Sequence, residues 1–148
     1  MNREIKFRGK RVNGGEWVYG MTISNGTIKR KINNIFFEVA ENKWVGVLPE
    51  TLGQYTGLKD KGGKEIYEGD ILKTPRGFIG QVVFGRAEEE CRHKVFGRMV
   101  IDCYTTYGWI FVRGDGYRCA IDDELLEGEI IGNIHDNPEL MKGGSNEA

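Results

Sequence analysis

The amino-acid sequence predicts a mostly-β protein with little helix: a short-stranded meander followed by a small barrel or sandwich. Glycine makes up 22 of the 148 residues, about twice ordinary usage. Apolar residues fall in short alternating runs, and turn residues separate the runs. Helical periodicity is nearly absent, so hairpins rather than helices must organise the chain.

The elements read in order as follows. Ile5 and Phe7 alternate with Lys6 and Arg8 in an opening strand. From Trp17 to Ser24, Trp17, Tyr19, Met21 and Ile23 share one face. Asn25-Gly26 follows, the dipeptide most suited to a two-residue hairpin loop. That loop would set Ile23 across from Ile28, Met21 from Arg30 and Tyr19 from Ile32. A second turn at Asn33-Asn34 would set Ile32 across from Ile35, Lys29 from Glu38 and Ile28 from Val39. This register joins apolar to apolar and opposite charge to opposite charge. Lys43 to Leu48 adds a strand with Trp44.

Beyond Pro49 the pattern changes. Asp60 to Gly63 reads as a tight loop between short extended pieces. Ile71-Leu72 and Phe78 to Phe84 read as strands around Pro75-Arg76-Gly77. Arg86 to Lys94 is ambiguous: Ala87-Glu88-Glu89-Glu90 could open a helix or lie in a solvated loop. Arg98 to Thr105, Gly108 to Val112, Tyr117 to Ile121 and Gly128 to Ile134 read as strands. Asp122 to Leu126 and Pro138 to Met141 read as single helical turns. The expected organisation is a meander lobe over 1–48, then a turn-rich connector and small barrel-like lobe over 49–141, packed as one unit. Residues 142–148 read as a disordered tail.

Net charge is −1, unevenly spread. Residues 1–47 hold nine Lys/Arg against four Asp/Glu (+5), and residues 120–148 hold one against eight (−7). Such polarity favours pairing of the two ends, within the chain or between copies. The opening residues read as neither signal nor anchor, no run is long enough to span a bilayer, and the three cysteines form no even framework. A cytoplasmic protein with no membrane role is the expectation.

The stretch Gln54-Tyr55-Thr56-Gly57-Leu58-Lys59-Asp60, continuing to Ile66-Tyr67-Glu68-Gly69-Asp70-Ile71, resembles the signature of the YopX family. Arg3 to Arg8 resembles the family's opening and Ile130 to Leu140 its close. Gly9-Lys10 stands where family openings often carry an aromatic residue and an acid, so no role is carried onto that position. The resemblance implies a mostly-β fold and an origin in temperate phages and prophages, mainly of Gram-positive bacteria. It implies no activity and no catalytic residue.

Chemistry-bearing residues are sparse. Cys91, His93, Cys103, Cys119 and His135 could ligate a metal, but the cysteines lie 12 and 16 residues apart, without the close pair of a zinc ribbon. Cys103 and Cys119 alternate with apolar neighbours and read as small core residues. Cys91 and His93 read as solvated. Asp70 and His135 could act as acid and base only if the fold joins them; Asp70 reads as a turn residue. Gly57 to Lys64 lacks the form of a phosphate loop. No catalytic site, cofactor or metal is therefore expected. Arg8, Lys10, Arg11, Lys29, Arg30, Lys31 and Phe36 are the candidate partner-binding residues, because basic groups beside aromatics can track a single-stranded nucleic acid. The slightly acidic total works against strong non-specific binding of that kind. Trp17, Trp44, Trp109 and Phe111 could anchor a protein interface. The sequence thus points to a non-catalytic phage accessory protein that self-associates and binds a protein. A nucleic-acid-binding module is the alternative, and an enzyme of unknown class the third reading.

Overall fold

A computed structural model describes residues 5–20, 23–24, 35–40 and 42–142. Among them lie strands β1 (Phe7–Lys10), β2 (Trp17–Gly20), β3 (Ile23–Ser24), β4 (Ile35–Ala40), β5 (Lys43–Val47), β6 (Gly53–Lys59), β7 (Glu65–Tyr67), β8 (Asp70–Lys73), β9 (Ile79–Val95), β10 (Arg98–Arg113), β11 (Arg118–Ala120) and β12 (Glu129–Asn133). A 3₁₀ turn spans Pro49–Thr51, and the helical turns are α1 (Asp123–Leu126) and α2 (Glu139–Lys142). The mostly-β expectation holds. The strands form three sheets, ordered β2-β1-β6-β7, β3-β4-β5 and β11-β10-β9-β8-β12. None of them closes into a barrel.

The chain divides into two compact units. The first runs to Leu58 and takes back Glu65–Glu68. The second holds Lys59–Lys64 and continues from Gly69. The segment read as a connector is therefore shared: β6 and β7 serve the first unit, and the turn between them serves the second.

In the first unit, β4 is a central strand. Ile23 and Ser24 of β3 pair with Phe37 and Phe36 on one edge, and β5 pairs along the other. Phe37 is fully buried, as a central position requires. The expected meander placed another strand between β3 and β4; the two instead pair directly. Residues 25–34, with both predicted turns and the facing residues Ile28, Lys29, Arg30 and Ile32, lie outside the described residues. Tyr55, Ile66 and Tyr67 supply the core of the other sheet. Thr56 Oγ1 donates to the Ile66 carbonyl at 2.8 Å and accepts from the Leu58 N–H at 3.0 Å, so its hydroxyl fastens β6 to β7.

The second unit is organised by one long hairpin. The sequence suggested separate short strands and a possible helix at Ala87–Glu90; β9 and β10 instead run 17 and 16 residues in unbroken register, from Val95↔Arg98 to Gly80↔Arg113. The Glu88-Glu89-Glu90 run has poor strand propensity, but cross-strand pairing overrides it. Phe96 and Gly97 form the turn, both at positive φ (52° and 81°), which matches the primed two-residue loop that strand twist favours. At the base, Val82, Ile110 and Phe111 are buried with Ile71 and Leu72 of β8. Gly80 is required there: a Cβ would lie 2.7 Å from the Phe111 ring and 2.8 Å from the Val112 carbonyl. Asp122 caps α1 by accepting from the Leu125 N–H at 3.0 Å.

Asp60 ties the tight turn to β12. Its Oδ1 accepts from the N–H groups of Gly62 and Lys64, each at 2.9 Å, and its Oδ2 accepts from Ile130 N–H at 3.0 Å. Burial pushes the carboxyl pKa up, but these donors and the Lys64 charge outweigh it and hold it below the ordinary 3.8. A depressed folded pKa contributes stability above the unfolded value and loses it as pH falls through the folded one. Asp60→Asn is therefore expected to cost about 1–3 kcal/mol at neutral pH. In denaturant titrations, the gap between variant and parent should narrow below the ordinary carboxyl pKa. A gap independent of pH would contradict the role of the charge.

Candidate binding surfaces

Of the residues singled out near the N-terminus, Arg8, Lys10 and Arg11 each engage a neighbour in the same unit. Arg8 is only 6% exposed. Its guanidinium lies 4.6 Å from the Trp17 ring and 5.0 Å from Tyr67, and Nη2 donates to the Glu68 carbonyl at 3.5 Å. Stacking between two aromatics suits the planar cation, and it makes Arg8 part of the packing. Tyr19 and Tyr55 pack against Tyr67 in turn, with ring centroids 5.5 and 5.4 Å away. Burial, then the Glu65 charge, pushes the Tyr67 phenol pKa well up. The Lys10 ammonium lies 5.7 Å from the Trp17 ring. Arg11 pairs with Glu16 at 3.1 Å. Of the candidate set, Arg11 and Phe36 share one open cleft of about 310 Å³, lined also by Asn13, Trp44, Val45 and Gly46. Lys29, Arg30 and Lys31 lie outside the described residues.

The His and Cys residues are dispersed. Cys91, Cys103 and Cys119 are free thiols. Among the described residues, no three His, Cys, Asp or Glu side chains group to hold a metal. Cys91 and His93 lie within β9, not in a loop. His93 Nε2 is 3.3 Å from Asp102 Oδ2 on the paired strand. Cys103 is exposed, contrary to the expectation of a core residue, because among the described residues nothing buries its strand face. Cys119 is half-buried. Burial, then the charges of Glu89 and Asp122, pushes its thiol up to about 11. Asp70 is buried in β8 across from Asn133, and the His135 ring packs beside Gly69.

Sequence reading missed a cleft of about 230 Å³ in the second unit. Arg113 lines it with Phe111 and Cys119, its guanidinium 4.4 Å from the Phe78 ring and 5.1 Å from that of Tyr117. Its Nη2 is bonded to Asp115 Oδ2 at 2.6 Å, so its charge is already matched. The cleft is smaller than typical small-molecule sites.

Sequence reading also missed the outer half of the β9–β10 hairpin. β8 pairs with β9 only at Ile79, Gly80 and Gln81, and β11 pairs with β10 only at Ile110, Phe111 and Val112. Side chains hold the next stretch: Arg118 Nε donates to the Arg86 carbonyl at 3.0 Å, and the Ala120 N–H donates to Glu89 Oε2 at 3.1 Å. From Glu90 to the turn and back to Tyr104 no residue is buried. Phe96 is 100% exposed, and Val95, Met99, Ile101 and Tyr104 are exposed with it. The alternating run from Arg98 to Thr105 was legible, but the stretch from Glu88 to Lys94 carries no matching apolar pattern.

These placements order the thiols. With iodoacetamide at neutral pH, exposed Cys103 should be alkylated first and Cys119 at least about tenfold more slowly, because it is half-buried and its thiol is pushed up. Equal rates in peptide mapping would contradict the burial of Cys119.

A search of curated proteins returns no match. The YopX protein family matches residues 6–142, nearly the whole described length. The match takes in β1, the β6–β7 pair with its Asp60 turn, the long hairpin and β12, and by it the chain belongs to the YopX family.

Proposed function

We propose that this is a non-catalytic phage accessory protein that works in the host cytoplasm by binding another protein, and that it self-associates. The outer half of the β9–β10 hairpin carries the reading. A lone two-stranded ribbon is at best marginally stable in water, and this one leaves Phe96 at its turn, Met99 and Ile101 on one face and Tyr104 on the other exposed. Apolar and aromatic groups on a strand pair with open edges favour a docked neighbour. No helix among the described residues is long and apolar enough to cross a membrane.

A second reading, a nucleic-acid-binding module, draws on the cleft that Arg11 lines with Phe36 and Trp44. Two measurements separate the readings. Light scattering behind size exclusion should give a mass above the 16.8 kDa of one chain, rising with concentration. Single-stranded and duplex oligonucleotides should leave fluorescence anisotropy unchanged at low salt. A single-chain mass at every concentration removes self-association. Oligonucleotide binding lost in both Arg11→Ala and Trp44→Ala would replace the lead reading with the second.

A further inference from the structure

The edge of β9 is complementary to itself. Val95 and Arg98 flank the two-residue turn and bond each other, so odd-numbered residues of β9 direct their N–H and C=O groups to β10. Even-numbered residues direct theirs to the other edge. The base agrees, since the Val82 carbonyl accepts from Gly69 N–H on that side. Among the described residues no strand covers that edge from Glu88 to Lys94. The charges along it read Glu88, Glu89, Glu90, then Arg92, His93, Lys94, with Cys91 at the centre. Glu88, Glu90, Cys91, Arg92 and Lys94 are all exposed.

From this we infer that a second copy of the chain docks here, β9 against β9 and antiparallel, about a two-fold axis through Cys91. The inference rests on the self-association proposed above and gives it a geometry. In this register Glu88 faces Lys94 of the second copy, Glu90 faces Arg92, Glu89 faces His93, Ala87 faces Val95, and Cys91 faces Cys91. The even residues, whose backbone groups point outward, become the hydrogen-bonded pairs, as an antiparallel ladder requires.

Neighbouring registers fail on charge. An axis at Glu90 sets Glu90 against itself and Arg86 against Lys94. One at Glu89 sets Glu88 against Glu90 and Arg86 against Arg92. One at Arg92 sets Arg92 against itself, and one at His93 sets Arg92 against Lys94. Like charges directly opposite are destabilising, so the Cys91-centred register is selected. The docking gives each ribbon the further strands that a two-stranded hairpin lacks, and it closes as a dimer because the contact is isologous. Within one chain Arg92 already lies 3.6 Å from Glu90, and Arg86 pairs with Glu88, so the second copy extends these rows.

The test is a charge-reversal cycle read by sedimentation. Glu90→Arg and Arg92→Glu should each weaken the dimer about tenfold or more, because each sets like charges across the axis at two symmetric places. The double variant should recover the parent affinity, because the exchanged charges are again opposite in sign across the axis. A double variant weaker than either single one, or singles that bind like the parent, overturns the register. A second readout needs no change of charge. In Cys103→Ser protein treated with diamide, two Cys91 thiols lose two protons and two electrons to the reagent and form one disulfide between chains. Non-hydrogen-bonded antiparallel pairs hold Cα atoms about 4.5 Å apart, within disulfide reach. The expected product is a covalent dimer that Cys91→Ser abolishes. A dimer in solution that yields no such crosslink overturns the docking geometry while self-association stands. A protein that is single-chain at every concentration overturns both.

Discussion

The ladder between β9 and β10 is the interaction on which the second unit depends. It runs from Gly80↔Arg113 in the core to Val95↔Arg98 at the turn without a shift of register. Its inner end brings Val82, Ile110 and Phe111 into the buried layer with Ile71 and Leu72, and sets Arg113 between Phe78 and Tyr117. Its outer end lifts Phe96, Met99 and Ile101 away from any layer of the same unit. The same backbone bonds therefore build the core and display the surface.

The two ends differ in what supports them. Burying one large apolar side chain is worth about 1.5–3 kcal/mol, and the inner end buries several. The outer end buries none, and exposed ion pairs such as Arg92–Glu90 contribute little. Stability must fall along the hairpin toward Phe96, which places the displayed segment among the regions that open most easily when alone. A neighbouring strand would reverse that gradient, and β9 carries the charges to choose one in register.

Much of the fold is legible in the chain itself. Asp60 to Gly63 announces a turn because aspartate and glycine serve opposite needs in one, and Asp122 and Pro138 mark the two helical turns. The core of the family motif is readable as a segment but not as a device: that Thr56 fastens β6 to β7, or that Asp60 reaches Ile130, depends on contacts distant in the chain. The long hairpin is obscured because the stretch from Glu88 to Lys94 carries no matching apolar pattern, while the pairing that rescues it comes from β10. Arg8 reads as a surface cation because sequence cannot show Trp17 and Tyr67 closing on its guanidinium. Cys103 reads as core because alternation reveals which residues share a face, and not whether anything covers that face.

A second chain docked as proposed would bond the outer edge of β9 to another strand in solution. Amide hydrogen exchange, resolved residue by residue, tests it most directly, because alternate amides report on opposite edges. Glu89, Cys91 and His93 bond to β10 whether or not a second chain is present. With the second chain docked, Glu88, Glu90, Arg92 and Lys94 should exchange as slowly as those neighbours. Protection of the odd residues, with the even ones exchanging at the rate of an open edge, would contradict it.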